Sequence, residues 1–193
     1  MLVLGACGDN DTADVAHSVT SASAPTAAAT GKHNQADVTF AQQMITHHLQ
    51  AIAMADMAER RASSQDVKAL AAKIKKEQRP EIKTMSRWLK SWGERVPRGM
   101  DTHRMGQGSP SAMPSMPGMM SNQQMREMMR ASGKTFDTMF LTMMIKHHQG
   151  AIHMAKTEQK QGAYGPAKTL AGDIVTTQTA EITKMRRMLK DHR

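Results

Sequence analysis

The sequence predicts an all-α protein, a four-helix bundle assembled from two copies of one helical hairpin. The first observation is a gapless repeat, offset by one hundred residues, that aligns residues 37–90 with residues 137–190. The second is the spacing of apolar residues, which recur three and four positions apart as one face of a helix requires. The third is a turn segment inside each copy, at residues 62–65 and 162–166. Two hairpins give four amphipathic helices, which bury their apolar faces most simply as a bundle.

The two copies retain the same residue along the whole repeat. In the first helix, the residues that recur one hundred positions later are Asp37, Phe40, Met44, Ile45, His47, His48, Ala51, Ile52, Met54 and Ala55. In the second helix, they are Lys68, Leu70, Ala71, Ile74, Gln78, Glu81, Ile82, Met85, Arg87, Leu89 and Lys90. This retention indicates one structural unit used twice. Pro80 stands where the second copy has Ala180, so a kink or local break is expected near Arg79.

Composition divides the chain into segments. Residues 8–35 are rich in Ala, Ser and Thr without an apolar period, which is typical of a disordered tether. Between the copies, Gly, Pro and Ser are frequent and no packed element is expected. A short helix capped by Ser121 or Asn122 should follow. The predicted segments are a truncated lipoprotein signal remnant at 1–7, the tether at 8–35, the first hairpin at 36–93, a Met/His-rich linker at 94–121, and a short helix with the second hairpin at 122–193; residues 36–193 form one bundle domain.

The single cysteine, Cys7, lies near the start of the sequence. Residues 2–6 before it, LVLGA, resemble the end of a bacterial lipoprotein signal, in which the cysteine is lipidated after cleavage. No basic residue precedes the apolar run and only six residues precede Cys7, so either the signal is truncated or the resemblance is accidental, and we expect a truncated signal. This predicts a lipid anchor through Cys7 and an extracytoplasmic protein, in the periplasm or at the cell surface. One cysteine also excludes an internal disulfide and a multi-thiolate metal site.

The composition is unusual in sulfur and in charge. The chain contains 20 methionines but only 3 Phe, 2 Trp and 1 Tyr, so its core should be aliphatic and methionine-based. Flexible core packing and binding of a soft metal ion are the two causes left open for the methionine bias. The net charge of +9 suits an anionic partner, but scattered basic residues and few aromatic side chains argue against nucleic acid. No catalytic triad or phosphate loop is visible, so nothing supports an enzyme directly.

The most specific motif is Met-x-x-His-His-x-x-Ala-Ile-x-Met, which occurs once in each copy. Positions three and four apart are neighbours on a helix, so Met44 can lie beside either histidine of its pair. Imidazole nitrogen with thioether sulfur is the ligand set expected for copper. Inward methionines and histidines are usually core residues, but retention of the pair in two diverged copies favours metal binding. The candidate ligands are Met44, His47, His48 and Met54 in the first copy and Met143, Met144, His147, His148, His153 and Met154 in the second.

The two histidines of each pair are predicted to differ. His48 points into the apolar arc, whereas His47 lies at its edge, and the second copy follows the same pattern. Glu81 and Glu181 also fall inside the arc, where a charge is costly unless paired, and the inward histidines are their nearest partners. Two interpretations stay open: a buried hydrogen bond that fixes hairpin register, and a carboxylate–histidine metal site. The hydrogen bond is favoured, since the Glu-x-x-His motifs of a dinuclear site are absent.

Methionine and histidine also gather in the linker between the copies. Spacers are normally built from Gly, Ser, Pro and charged residues rather than from methionine. Repeated thioethers in such a segment favour a flexible clamp for a soft ion. The candidate ligands in the linker are His103, Met113, Met116, Met119 and Met120.

Residues 40–55 and 140–155 resemble the bacterial exported family known as domain of unknown function 305. The likeness covers nearly all of residues 37–193 and rests on the doubled His-His-x-x-Ala-Ile-x-Met-Ala motif. It implies a ferritin-like four-helix bundle in periplasmic or surface proteins, some of which bind copper and support copper tolerance. The first copy has Gln43 and Ala53 where the second has methionine and histidine, so its site is expected to be weaker. The motif residues in this chain are Met44, His47, His48 and Met54, with Met144, His147, His148 and Met154.

Three functions compete. The first is a lipoprotein outside the cytoplasm that sequesters or relays copper, because Met and His ligands avoid the oxidation to which thiols are prone. It would bind copper ions, with Cu(I) favoured and Cu(II) accepted, and exchange them with a copper-handling partner protein. The second is a ferritin-like metal-dependent oxidase, which would need Glu81 and Glu181 as ligands. The third is a helical interaction module whose methionines only pack. The sequence favours the first, a binding protein.

Overall fold

The computed structural model describes residues 31–98 and 116–191, and these ranges are helical without strands, as predicted. The helices are α1 (Gln35–Arg61), α2 (Gln65–Ser91), α3 (Asn122–Arg130), α4 (Gly133–Gln161) and α5 (Gly165–Asp191). α1 packs against α2 and α4 against α5, which gives two hairpins with α3 preceding the second. Cys7, the signal remnant and nearly all of the predicted tether lie outside the described residues. None of the described helices combines the length and hydrophobicity needed to cross a membrane.

Polar caps determine where the helices begin. The Asn34 side chain accepts hydrogen bonds from first-turn N–H groups of α1, and the Asp37 carboxylate accepts the backbone N–H of Asn34 in return. Ser121 and Gln124 form the same reciprocal box at α3. Pro80 lies on the exposed side of α2, where the carbonyl group that loses its hydrogen bond can turn toward water. The helix therefore continues through Pro80, and the expectation of a local break is wrong.

The hairpins meet through α1 and α4, which run antiparallel, so the start of each lies beside the end of the other. One apolar cluster contains Phe136 and Phe140, and a second contains Phe40 and Trp88. Because equivalent residues of α1 and α4 meet at the helix midpoints, these clusters occupy opposite ends of the interface. The middle of the bundle is left to polar side chains.

Two buried aspartates join the hairpins. The Asp137 carboxylate on α4 accepts hydrogen bonds from the backbone N–H of Ser63, at 3.2 Å, and from its hydroxyl, at 2.5 Å, in the α1–α2 turn. The Asp37 carboxylate on α1 accepts the backbone N–H of Tyr164, at 2.9 Å, in the α4–α5 turn. Asn34 is the N-cap of α1, where Asp37 also accepts the backbone N–H of Asn34. Each aspartate in addition binds the turn of the other hairpin, which fixes the hairpins end to end.

Candidate metal centre

The centre of the bundle holds two histidines, one from each hairpin. His47 on α1 and His147 on α4 are fully buried, and their ring centroids lie 3.7 Å apart with the rings tilted by 40°. The repeat explains the meeting, because two antiparallel helices that share one motif bring equivalent positions face to face at their midpoints. The contact between α1 and α4 covers the edge of the apolar face at which these histidines were predicted, so both are buried.

Both rings are neutral at physiological pH. Burial, with a smaller contribution from His48, lowers the pKa of His47 to about 3. Burial also lowers the pKa of His147 well below its ordinary value. The Nε2–H of His47 donates to the Pro117 carbonyl at 3.1 Å, whereas neither nitrogen of His147 has a hydrogen-bond partner in the part of the chain described. The centre therefore offers nitrogen lone pairs on His47 Nδ1 and on one nitrogen of His147, with no proton to displace.

Two methionines lie next to this pair along the helices. Met44 and Met144 precede the histidines by one turn and are fully buried. Because α1 and α4 are antiparallel, these two side chains flank the histidine pair from opposite sides along the bundle axis. Met54 lies seven residues beyond His47, about 10 Å along the axis, and packs in the cluster with Phe140. Thus the structure brings Met44 and Met144 to the histidines and places Met54 further away, in the core.

The inner histidine of each motif pairs with a glutamate of its own hairpin, as predicted. His48 Nε2 lies 2.5 Å from Glu81 Oε2, and His148 Nε2 lies 2.8 Å from Glu181 Oε2. The Glu81 side chain is 18% exposed and that of Glu181 only 5%. Burial raises the pKa of Glu181, but the hydrogen bond with His148 and the nearby Lys73 ammonium outweigh it and lower this pKa to about 2. The buried Glu181 carboxylate on α5 therefore links three helices, because it is bonded to His148 on α4 and to Lys73 on α2.

The candidates that distinguish the second copy lie outside the bundle centre. Met143 is half-buried on α4 and lines a cavity together with Lys134 and Lys146. His153 is exposed, and it lines a different cavity together with Met154, which is 7% exposed. Met143 and Met154 lie four and seven residues from His147 and share its side of α4, whereas His153 lies on the exposed side. The exposed His153 and the half-buried Met143 can therefore contact an ion that has not reached the centre.

Part of the linker packs on the bundle, contrary to expectation. Residues 116–120, called the strap below, cross α1 and α4 at the level of the histidine pair. Met116 and Met119 are half-buried, whereas Met120 is 6% exposed and belongs to the cluster with Phe140. The strap packs because its backbone polar groups find partners on α1. The linker candidates outside the described residues are His103 and Met113.

Sequence reasoning missed the residues that hold the strap. The Gln50 side chain donates to the Met120 carbonyl at 2.9 Å and accepts the Met120 backbone N–H at 2.7 Å. On α4 the strap lies directly against Gly150. The repeat gives a weak indication, because Gln50 and Gly150 occupy one of the four positions that differ between the two copies of the motif.

A second buried titratable cluster lies where α4 ends. Glu158 is 1% exposed, and neither carboxylate oxygen accepts a hydrogen bond from the described residues. Burial and the neighbouring Asp37 raise the pKa of Glu158 to about 8. Burial opposes ionisation of Asp37, but Glu158 and backbone N–H donors together lower its pKa. At neutral pH Glu158 therefore keeps its proton and shares it with Asp37, while Gly162 leaves room because a Cβ there would overlap both carboxyl groups.

We expect Glu158→Gln to stabilise the protein in alkaline solution. Folding raises the pKa of Glu158 from 4.5 to about 8, so its stabilising contribution is complete below pH 4.5 and is lost as the pH rises through about 8. Glutamine stays neutral and can still donate to Asp37. The free energy of unfolding, measured by urea denaturation at pH values between about 5 and about 9, should therefore fall less in the variant. The control is Glu127→Gln on the exposed side of α3; equal pH dependence in wild type and E158Q would contradict the assignment.

The histidine pair can bind one ion only with help from sulfur. In residues 31–98 and 116–191, no group of three or more His, Cys, Asp or Glu side chains is arranged to hold a metal ion. The thioether sulfurs of Met44 and Met144, one helical turn from the histidines, are the buried donors that can complete the site. The two imidazoles lie side by side, with ring centroids 3.7 Å apart, so both rings are available to the same small region of the bundle centre. Neutral imidazole nitrogen and thioether sulfur are donors that suit a soft metal ion.

Comparisons with known proteins agree with this fold. The sequence profile of a family described as domain of unknown function, DUF305, matches residues 37–189. No curated protein is similar enough to match. Crystal structures of a DUF305 protein from Streptomyces coelicolor, described as secreted, and of a DUF305 fragment from Deinococcus radiodurans both superpose with a TM-score of 0.69. They are 31% and 28% identical to this chain, and the alignments cover 81% and 82% of it and 93% and 97% of the two relatives.

Two metal-bound structures are similar as well. CopM in its Cu(I)-bound form is 29% identical with a TM-score of 0.64, and in its Cu(II)-bound form the values are 32% and 0.65. Each alignment covers 80% of this chain and 96% of CopM. CopM has also been solved with silver bound. These relatives thus include a protein of the same fold that holds soft metal ions.

Proposed function

The chain belongs to the DUF305 family, and on this premise we propose that it is a copper-binding protein that acts outside the cytoplasm, sequestering copper or passing it on. CopM, which shares this fold, binds Cu(I), Cu(II) and silver. A DUF305 relative described as secreted supports the location. Outside the cytoplasm, a site built from imidazole and thioether resists the oxidation that a thiolate site would suffer.

The observation that carries the proposal is the buried histidine pair. Neutral rings of His47 and His147 lie next to each other between the buried side chains of Met44 and Met144. Neutral imidazole nitrogen and thioether sulfur together suit Cu(I) and tolerate Cu(II) during exchange. We assign the ligand role to these four residues. Full burial keeps water from the centre and so favours the ion of lower charge.

The other candidate ligands are proposed to orient the helices or to bind copper before it reaches the centre. The pairs His48–Glu81 and His148–Glu181 orient the helices beside the centre through their hydrogen bonds. Met143 and His153 on α4 are proposed as sites where copper first binds, and Met154 is proposed to line the cavity beside His153. We also propose that the protein is tethered to a membrane by a lipid on Cys7 and exchanges copper with a partner protein. In this scheme the linker residues that gather copper are His103, Met113, Met116, Met119 and Met120.

We expect the folded protein to bind Cu(I) more tightly than Zn(II), because thioethers bind copper well and are poor zinc ligands. Competition with chelators of known affinity under anaerobic conditions would measure both constants. The double variant Met44→Leu/Met144→Leu should weaken Cu(I) binding and leave Zn(II) binding unchanged, since leucine keeps the volume and removes only sulfur.

Repeat symmetry offers a matched control for this experiment. Met85 and Met185 are also fully buried and repeat-related, but they lie on α2 and α5. The double variant Met85→Leu/Met185→Leu should therefore keep Cu(I) affinity. If both double variants bind Cu(I) as the wild type does, thioether ligation at the centre is excluded.

A further inference from the structure

We propose that the strap is a positioning element of the copper centre, which fixes the tautomer of His47 and covers the histidine pair so that copper is released when the strap lifts. This inference rests on the proposed function, because it concerns the same two histidines. It adds the regulation of that site by a segment that lies outside the repeated hairpins.

The first support is how firmly one end of the strap is held. Gln50 forms two hydrogen bonds with the backbone of Met120, one as donor and one as acceptor, and both are buried. These satisfy the polar groups of a residue whose side chain is buried in the core. Without Gln50, the Met120 N–H and C=O would have to return to water, so the strap would detach.

The second support is the close backbone approach at the other end of the strap. Gly150 on α4 has no side chain, and a Cβ there would overlap the carbonyl of Pro117. Gly118 adopts φ of +78°, and a Cβ on it would lie 2.5 Å from the Lys146 carbonyl oxygen and 3.0 Å from that of His147. Two glycines are thus required where the strap lies flat on α4. The strap therefore contacts the turn of α4 that carries His147.

The third support is the contact with the ligand itself. A carbonyl oxygen can only accept, so the 3.1 Å contact between Pro117 and His47 requires the proton on Nε2. Only Nδ1 of His47 can then bind a metal ion. His147 has no such partner among the described residues and can present either nitrogen. The strap thus makes the two repeat-related histidines unequal and selects the nitrogen that faces the ion.

The repeat shows that this arrangement is specific. Positions 50 and 150 are equivalent, yet one carries the amide that binds the strap and the other carries the glycine that admits it. Replacing Gln50 would break the contact with Met120, and replacing Gly150 would break the contact with Pro117. Both substitutions loosen the strap, so both should speed copper release.

The test uses two variants, Gln50→Ala and Gly150→Ala. The second is the more informative, because alanine favours the helical conformation of α4 and opposes only the strap. Cu(I)-loaded protein is mixed with a high-affinity Cu(I) chelator, and the rate of copper transfer is followed by absorbance. We expect both variants to release copper about tenfold faster than the wild type or more, as loss of a buried hydrogen-bonded contact should produce. Gln149→Ala, on the exposed side of α4, should leave the rate unchanged.

A second readout needs no copper. Nitrogen chemical shifts of the imidazole rings in the metal-free protein report the tautomer of His47, and hydrogen exchange reports the Met120 amide. We expect wild-type His47 to be protonated at Nε2, and both variants to show mixed tautomers with faster exchange at Met120. Unchanged release rates in variants that expose the Met120 amide would overturn the proposal. If copper does not bind at His47 at all, the proposed function fails, yet the tautomer measurement still decides whether the strap positions the ring.

Discussion

Replacing His147 by alanine is expected to lower Cu(I) affinity at least about 100-fold, because loss of an outer-shell partner alone costs about 10- to 100-fold and His147 is assigned as a ligand. Both of its nitrogens lack hydrogen-bond partners in the described ranges, so the substitution breaks no hydrogen bond there. The protein should therefore still fold, and the loss of unfolding free energy should come only from the cavity left beside His47. Affinity would be measured by competition with a Cu(I) chelator.

The control for this prediction is His153→Ala. His153 lies on the same helix and in the same motif but is exposed. Its removal should change equilibrium affinity less than about tenfold, because an exposed ligand that meets copper first contributes mainly to the rate of association. A His147→Ala protein that binds Cu(I) within a factor of about two of wild type would contradict the assignment of the centre.

Replacing His148 by alanine should instead destabilise the protein by about 1 to 3 kcal/mol, the cost of leaving a buried carboxylate without one of its hydrogen-bond partners. The Glu181 carboxylate, 5% exposed, would lose the histidine 2.8 Å away and keep only Lys73, at 2.9 Å. The unfolding free energy in urea at neutral pH measures this loss. Changing His148 and Glu181 together to leucine should recover part of it, because no buried carboxylate remains.

The first hairpin supplies the matched comparison. His48→Ala should cost less, since the Glu81 side chain is 18% exposed and can regain water. One outcome would reverse the roles assigned to His147 and His148. If His148→Ala abolishes copper binding while the unfolding free energy stays the same, the His148–Glu181 pair is a metal site and the ferritin-like oxidase becomes the better proposal.

Much of the fold could be predicted because it depends on local pattern. The gapless repeat and the helical spacing of apolar residues determine four helices, and antiparallel hairpins follow from short turns. The hydrogen bonds between His48 and Glu81 and between His148 and Glu181 were also predictable. A carboxylate placed on an apolar face needs a buried partner, and an inward histidine of the same hairpin was the nearest one.

The centre was harder to predict because it depends on how the hairpins pack against each other. On a single helix, His47 lies at the edge of the apolar face, and only the contact between α1 and α4 buries it against His147. The same limit applies to Asp37, which resembles a helix cap and also binds the turn of the other hairpin. Long-range pairing of this kind leaves little trace in residue spacing.

The sequence indicates the strap and the buried Glu158 less clearly than it indicates the helices. The linker composition of Gly, Pro and Met predicts no packing, and the strap packs because Gln50 and Gly150 recognise its backbone rather than its side chains. Glu158 occupies the position of Ala58 in the first copy, so a comparison of the two copies shows that this position differs. Its partner Asp37 comes from the other hairpin, which the sequence does not reveal.

The most direct test is an anaerobic Cu(I) titration of the nitrogen-15-labelled protein, followed through the imidazole nitrogen shifts of all histidines. Cu(I) is diamagnetic, so each ring stays visible and the coordinated nitrogen identifies itself. We expect His47 Nδ1 and one nitrogen of His147 to shift together with the first equivalent, while the Nε2 atoms of His48 and His148 keep their hydrogen-bonded positions. A first equivalent that shifts His48 and His148 and leaves His47 and His147 unchanged would contradict the central histidine pair as the copper site.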